Sequence, residues 1–268
     1  MIRRNQRAQI CLKSPAELAE EDFAEVAALV CIGGDGTLRA VAERCHQVLG
    51  KILPLYPLPL GTANLMCKHL RMDLSQEGLI ERAAEAIQIG HIKTLDGLRV
   101  NGSLALLIVG IGLDGQIVHE LERVRSGPIN YASYAIPTLL ALHQYEYNRL
   151  KVTVDGRVVF AESQAVAFVA NVPEYGTGFP VVPGAISDDG LLDVCVLPVR
   201  SPAAAVQQAV RIAAGEHLRG EDAVSVRGKR VQIVADKRVA VQVDGDAAGF
   251  TPLEIDLLPS IAPFIVTA

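Results

Sequence analysis

The chain has 268 residues, half of them hydrophobic but only 4% aromatic, enough for one large or two modest domains with aliphatic cores. Its formal net charge of −5 excludes a general nucleic-acid binder, because no basic excess exists to neutralise phosphates, and leaves room only for a local basic patch. The lack of any window of about 20 uninterrupted apolar residues excludes a membrane-spanning helix, and basic Met1–Arg7 has no apolar run behind it to make a signal peptide.

In chain order, Ala8–Leu12 reads as a short strand. Ser14–Leu29 reads as a helix with Ser14 as cap and Pro15 in the first turn. The apolar run 27–32 ends in Val30–Ile32, a buried strand, and stops at Gly33-Gly34-Asp35-Gly36-Thr37, from which a helix runs to Leu49. Ile52–Leu60 carries Pro54, Pro57 and Pro59 and supports only a short strand. A second turn, Pro59-Leu60-Gly61-Thr62-Ala63-Asn64, leads into Leu65–Leu70, and Glu77–Ile89 has a helical pattern. This alternation predicts an open α/β sheet over residues 1–92, with its ligand beyond the C-terminal strand ends.

From about Ile92 the texture turns to strands: Leu104–Ile111, Leu150–Val154, Val158–Phe160, Ala165–Val172, Leu192–Leu197, Arg230–Ala235, Val239–Val243 and Leu253–Leu257. Asp155-Gly156 is a hairpin signal, and helices are expected only at Tyr131–Gln144 and Ala203–Ala214. Residues 93–268 therefore read as a β-rich, largely antiparallel sandwich. Cys11, Cys31, Cys45, Cys67 and Cys195 form no CxxC pair, which suits reduced thiols in a cytoplasmic protein, and the six histidines show no metal-ligand spacing.

Glycines at a strand-to-helix turn let backbone approach a phosphate, and the helix N-terminus supplies N–H donors. A carboxylate in that loop does not attract phosphate; Asp35 instead suits Mg²⁺, a water or a hydroxyl nucleophile, or an Asx hydrogen bond within a tight turn. Gly61 and Thr62 form a second backbone-rich turn, where Thr62 can bond a nucleotide and Asn64 can cap the next helix. Asp188-Asp189-Gly190 and Asp244-Gly245 read, by themselves, as turns beside strands. Gly127–Leu150 carries Tyr131, Tyr134, Leu139, Leu140, Leu142, Tyr145 and Tyr147, a face that suits either packing on its own sheet or an acyl chain at a bilayer.

Together these turns resemble the bacterial diacylglycerol kinase catalytic-domain family, which includes sphingosine-kinase-like lipid kinases. The matching order is Gly33–Thr37, Pro59–Asn64, Gly112-Leu113-Asp114, Tyr175-Gly176-Thr177-Gly178, Asp188–Asp193 and Val243-Asp244-Gly245-Asp246. The resemblance implies an NAD kinase-like α/β nucleotide-binding domain followed by the β-rich domain. It implies ATP- and Mg²⁺-dependent transfer of a γ-phosphoryl group to the hydroxyl of a lipid, diacylglycerol or sphingoid-like, presented at a membrane surface. Gly33, Gly34, Asp35, Gly36, Thr37, Gly61, Thr62, Asn64 and Asp114 would bind the nucleotide, with Asp35 and Asp114 organising Mg²⁺ and its waters. Asp189, with the carbonyls of Ile186 and Leu191, would hold a structural Mg²⁺. Asp246, standing where the family usually has Glu, or Asp244 would take the hydroxyl proton.

Three departures accompany the match. Arg39-Ala40 follows the glycine turn where Asn-Glu is usual, and Leu65-Met66 stands where Asp-Phe is usual. An opening strand with an Asn-Pro turn has no counterpart in the 32 residues before Gly33. Without that unit the sheet exposes an edge, which suits a homodimer. Two other readings remain: a non-catalytic nucleotide- or lipid-binding homologue, and an NAD kinase. The second is disfavoured because Pro59–Asn64 stands where NAD kinases carry an Asn-x-Gly turn.

Overall fold

The computed structural model describes residues 13–124, 135–176, 179–220 and 222–266. Ala8–Leu12, Cys11, Tyr131, Tyr134, Thr177 and Gly178 lie outside them. The chain divides into two compact units, one of residues 1–97 with 259–268 and the other of residues 98–258.

The first unit is α/β. Strand β1 (Leu29–Gly33) leads into α1 (Asp35–Leu49), β2 (Leu55–Pro59), α2 (Leu65–His69) and α3 (Leu79–Ile89), and β3 (Ile92–Val100) starts here. β1 pairs with β2 in parallel, Leu29 opposite Leu55 through Gly33 opposite Pro59. Phe264, near the chain's C-terminus, pairs in parallel with Leu55 on the other side of β2. β2 is thus an inner strand despite its prolines, because that second pairing is made at Leu55, before Pro57 removes a donor. All five of its residues are buried. Tyr56 and Leu58 pack with Cys67, Met72, Leu79, Ala83, Ala86 and Ile265.

The helix expected over Ser14–Leu29 is corrected to two single 3₁₀ turns, Pro15–Glu17 and Glu20–Phe23. The segment buries only Phe23 among these turn residues, so no apolar stripe exists to hold a longer helix. The turns are closed locally instead, by Glu17 on the Ser14 N–H at 2.9 Å and Asp22 on the Ala19 N–H at 2.9 Å.

The second unit is β-rich. It contains β4 (Ser103–Ala105), β5 (Ile108–Ile111), α4 (Leu113–Val124), α5 (Ala135–Gln144), β6 (Arg149–Val154), β7 (Arg157–Ala170), β8 (Leu192–Pro198) and α6 (Pro202–Ala213). Then follow β9 (Val224–Gly228), β10 (Arg230–Ala235), β11 (Ala240–Val243), β12 (Asp246–Phe250) and the first part of β13 (Leu253–Ile265). Neighbouring strands run β10-β6-β7-β5-β11-β12, with β8 on β7 and β9 on β8, all antiparallel. Asp155-Gly156 closes the β6–β7 hairpin, since Val154 pairs with Arg157. A core of Val, Leu, Ile and Ala from these strands fills the unit, including Val109, Val169, Val194, Val241 and Ile255. Cys195 is buried here, and Cys31, Cys45 and Cys67 are buried in the first unit, all as free thiols. Among the described residues no helix is long and apolar enough to cross a membrane.

Candidate functional site

In the first unit the two glycine turns meet. A Cβ on Gly34 would sit 3.1 Å from the Gly61 Cα, and one on Gly61 would overlap the Gly34 Cα, so each turn leaves space for the other's backbone. The contact follows from register: Gly33 ends β1 opposite Pro59 at the end of β2, which brings both strand-to-helix turns to the same sheet edge. Asp35 then reaches 30 residues along the chain. Its Oδ2 accepts from the Leu65 N–H at 2.9 Å and its Oδ1 from the Met66 N–H at 3.0 Å. Asp35 is therefore the cap of α2. Asn64, which the sequence offers as that cap, takes a left-handed backbone (φ 48°), and no side-chain cap bond comes from it. Its Oδ1 accepts from the Gly61 N–H at 2.9 Å and its Nδ2 donates to the Gly61 carbonyl at 2.8 Å, closing the second turn on itself. Thr62 is exposed at this turn.

At the start of α1 the N-cap is Gly34, which has no side chain to bond the first turn, so the N–H groups of Asp35, Gly36 and Thr37 head a 15-residue helix beside glycine backbone. These residues fit an anionic phosphate group.

In the second unit Asp114 is the second residue of α4 and is partly buried. Its Oδ2 accepts from Gln242 Nε2 at 3.0 Å, and the Tyr175 hydroxyl also bonds it. Burial outweighs both bonds and pushes its carboxyl up to about 6. Gln242 is fully buried on β11, and its Oε1 accepts from the Gly245 N–H at 2.8 Å. Asp244-Gly245 is the two-residue turn joining β11 to β12, with Val243 opposite Asp246.

The two aspartates of that turn have different surroundings. Asp244 is buried, and its carboxylate accepts three backbone N–H bonds, from Leu106 at 2.8 Å, Leu107 at 2.9 Å and Ile108 at 3.0 Å. It holds the corner where the expected strand Leu104–Ile111 breaks into β4 and β5. Asp246, the first residue of β12, is exposed.

Asp189 and Leu191 lie in a further cluster, and the backbone of Ile186 bonds Asp193 there. Asp189 Oδ1 accepts from the Leu191 N–H at 3.1 Å, and its Oδ2 pairs with Arg227. Arg227 lies directly opposite Asp193 across β8 and β9, and its Nε bonds Asp193 Oδ1 at 3.0 Å. The guanidinium is thus shared between Asp189, the carboxylate expected to hold Mg²⁺, and Asp193. Among the described residues, no group of three or more His, Cys, Asp or Glu side chains could hold a metal ion. Both oxygens of Asp189 are engaged, by the Leu191 N–H and by Arg227, so a Mg²⁺ ion at this loop would have to compete for its carboxylate.

Gln242 and Arg227 are the site residues that motif reading missed. The signal for Gln242 was its place between Val241 and Val243 in an apolar strand, a polar side chain that must be satisfied once buried. Arg227 had no such signal, because only the β8–β9 register brings it to Asp193.

Two family models match the chain: the diacylglycerol kinase catalytic domain over residues 5–100, and the YegS C-terminal NAD kinase beta sandwich-like domain over residues 107–266. A diacylglycerol kinase of Mycobacterium tuberculosis is 26% identical over 239 residues, covering 87% of this chain and 74% of its own length. Uncharacterized protein sll0036 of Synechocystis is 24% identical over 236 residues, 86% of this chain, which spans only about half (53%) of that relative. Among solved structures, a diacylglycerol kinase from Bacillus anthracis superposes with a TM-score of 0.64 at 24% identity, over 92% of this chain and 79% of that one. An NAD kinase from Archaeoglobus fulgidus in complex with ATP superposes at 0.53 and 16% identity, over 93% and 81%, a likeness of fold alone. The α/β unit with its glycine turns, the β-rich unit and the two family matches make this chain a member of the diacylglycerol kinase catalytic-domain family of lipid kinases.

Proposed function

We propose that the chain transfers the γ-phosphoryl group of ATP to the hydroxyl of a diacylglycerol or sphingoid-like lipid met at a bilayer surface. The observation that carries this reading is the division of labour at the Asp244–Asp246 turn. Asp244 is occupied by three backbone donors, so Asp246, exposed one residue beyond the glycine, is assigned as the base. Asp246 accepts the hydroxyl proton while the lipid oxygen bonds the γ-phosphorus and the β–γ bridging oxygen departs with ADP. The α1 N-terminus and the paired glycine turns hold phosphate oxygens through backbone N–H groups, a role supported by the glycine at the N-cap of that helix. The ATP in the Archaeoglobus NAD kinase supports the choice of nucleotide. No step is assigned to a protein-held Mg²⁺.

One observation favours a second reading, a nucleotide-binding homologue without transfer: Asp35 has both carboxylate oxygens engaged by backbone. Transfer of labelled γ-phosphate from ATP to diacylglycerol, sphingosine and NAD in mixed micelles separates the readings. Labelled lipid that disappears in Asp246→Asn supports the kinase. No transfer by a folded protein that still binds ATP supports the homologue, and labelled NADP would overturn both.

A further inference from the structure

We propose that Gln242 is a positioning residue for the transfer reaction, an amide clamp that holds Asp114 in place and sets the Asp244–Asp246 turn against it. The proposal rests on the kinase reading above. Each end of the Gln242 amide has one committed partner: the Nε2 donates to Asp114 Oδ2 at 3.0 Å, and the Oε1 accepts from the Gly245 N–H at 2.8 Å. Because the Gly245 N–H that meets Oε1 can only donate, the amide cannot flip, and its N–H must face the Asp114 carboxylate. Space for this contact is left in β5. Gly110 pairs with Gln242 across the sheet, and a Cβ there would lie 2.6 Å from Gln242 Nε2 and overlap the Asp114 carboxylate. Gln242 is fully buried, so a loose side chain would leave polar atoms without water or partner. The chain Tyr175–Asp114–Gln242–Gly245 therefore links the start of α4 to the residue just before Asp246.

A merely structural glutamine would affect stability and substrate binding together, whereas a positioning residue acts on kcat. In Gln242→Met, which keeps side-chain length but neither donor nor acceptor, kcat is expected to fall at least tenfold with the ATP KM within twofold. A kcat within twofold of wild type, or a loss carried by KM, overturns the proposal. A second measurement needs no turnover: side-chain and backbone ¹H–¹⁵N spectra of the full chain. In wild type the Gln242 side-chain amide is expected to be protected from water, and Asp114→Asn is expected to move both it and the Gly245 N–H. A Gln242 amide that exchanges freely and ignores Asp114→Asn overturns the clamp even if Gln242→Met does not fold. Absence of transfer by wild type with the coupled spectra intact would reject the kinase reading, and with it the reaction the clamp was assigned to, while leaving the contact itself established.

Discussion

The glycine turn of the first unit and the Asp-Gly-Asp turn of the second both carry an aspartate that sequence reading assigns to chemistry, and both use it to hold backbone. Asp35 caps α2 through Leu65 and Met66. Asp244 reaches 138 residues back to Leu106 and holds the β4–β5 corner. The difference lies in what is left beside them. In the first unit the offered groups are backbone N–H donors at a helix start whose N-cap is a glycine, suited to an anion. In the second they are carboxylates, Asp246 at the surface and Asp114 on an amide clamp, suited to moving a proton. A motif aspartate can thus mark a site by building it, with the chemistry carried by its neighbours.

The sharpest way to break this contrast is to exchange the fates of Asp244 and Asp246. Asp246→Asn should lower kcat on the order of 10²–10⁴-fold, the usual worth of a general base. Asp244→Asn should instead cost about 3 kcal/mol in denaturant unfolding, because an amide offers one acceptor and two donors to three buried N–H groups. If Asp246→Asn keeps its kcat, the assignment of roles fails.

Asp114 supplies a pH test of the second unit. Burial raises its carboxyl from 3.8 to about 6, so the folded state holds the proton more tightly than the unfolded chain. Its favourable contribution is complete below about pH 3.8 and is lost as pH rises through about 6. Asp114→Asn should therefore stabilise the apo protein at pH 8, by about 1–2 kcal/mol after allowance for its partial exposure, and change little at pH 4. Chemical denaturation at both pH values measures this, and a larger gain at pH 4 would contradict it.

Asp35→Ala should cost about 1 kcal/mol for the lost α2 cap, with Asp35→Asn recovering part of it. The same variants should weaken ATP binding less than Gly34→Val, which puts a side chain into the approach between the glycine turns; isothermal titration distinguishes the two. The smallest effect concerns metal. With Arg227 already paired to Asp189 and Asp193, the apo protein's thermal midpoint should be the same in EDTA and in Mg²⁺. A midpoint that Mg²⁺ raises, and Asp189→Ala abolishes, would restore the metal to that loop.

Much of the strand framework was legible because β-branched runs alternate or stay apolar between turns, as at Arg230–Ala235 and Asp155-Gly156. Three strands escaped that reading. β12 (Asp-Ala-Ala-Gly-Phe) is mostly exposed and has no apolar alternation, β9 has only two valines, and β3 is interrupted by Asp96 and Gly97. Helix α4 was hidden behind its own motif, since Gly112-Leu113-Asp114 reads as a turn.

The sequence by itself determined the elements whose cause is local: the glycine turns, the hairpin at Asp155-Gly156, the aliphatic strands and the order of motifs that marks the family. Tertiary structure alone decided which aspartate does what. Asp35, Asp114, Asp244 and Asp246 have the same side chain; the first three are set by partners 30 to 138 residues away and the last by its exposure. A carboxylate surrounded by backbone N–H groups builds the fold, one held by a buried amide has its basicity set by burial, and one at the surface can meet a substrate. Those surroundings arise only when distant segments pack, so local sequence pattern cannot distinguish them.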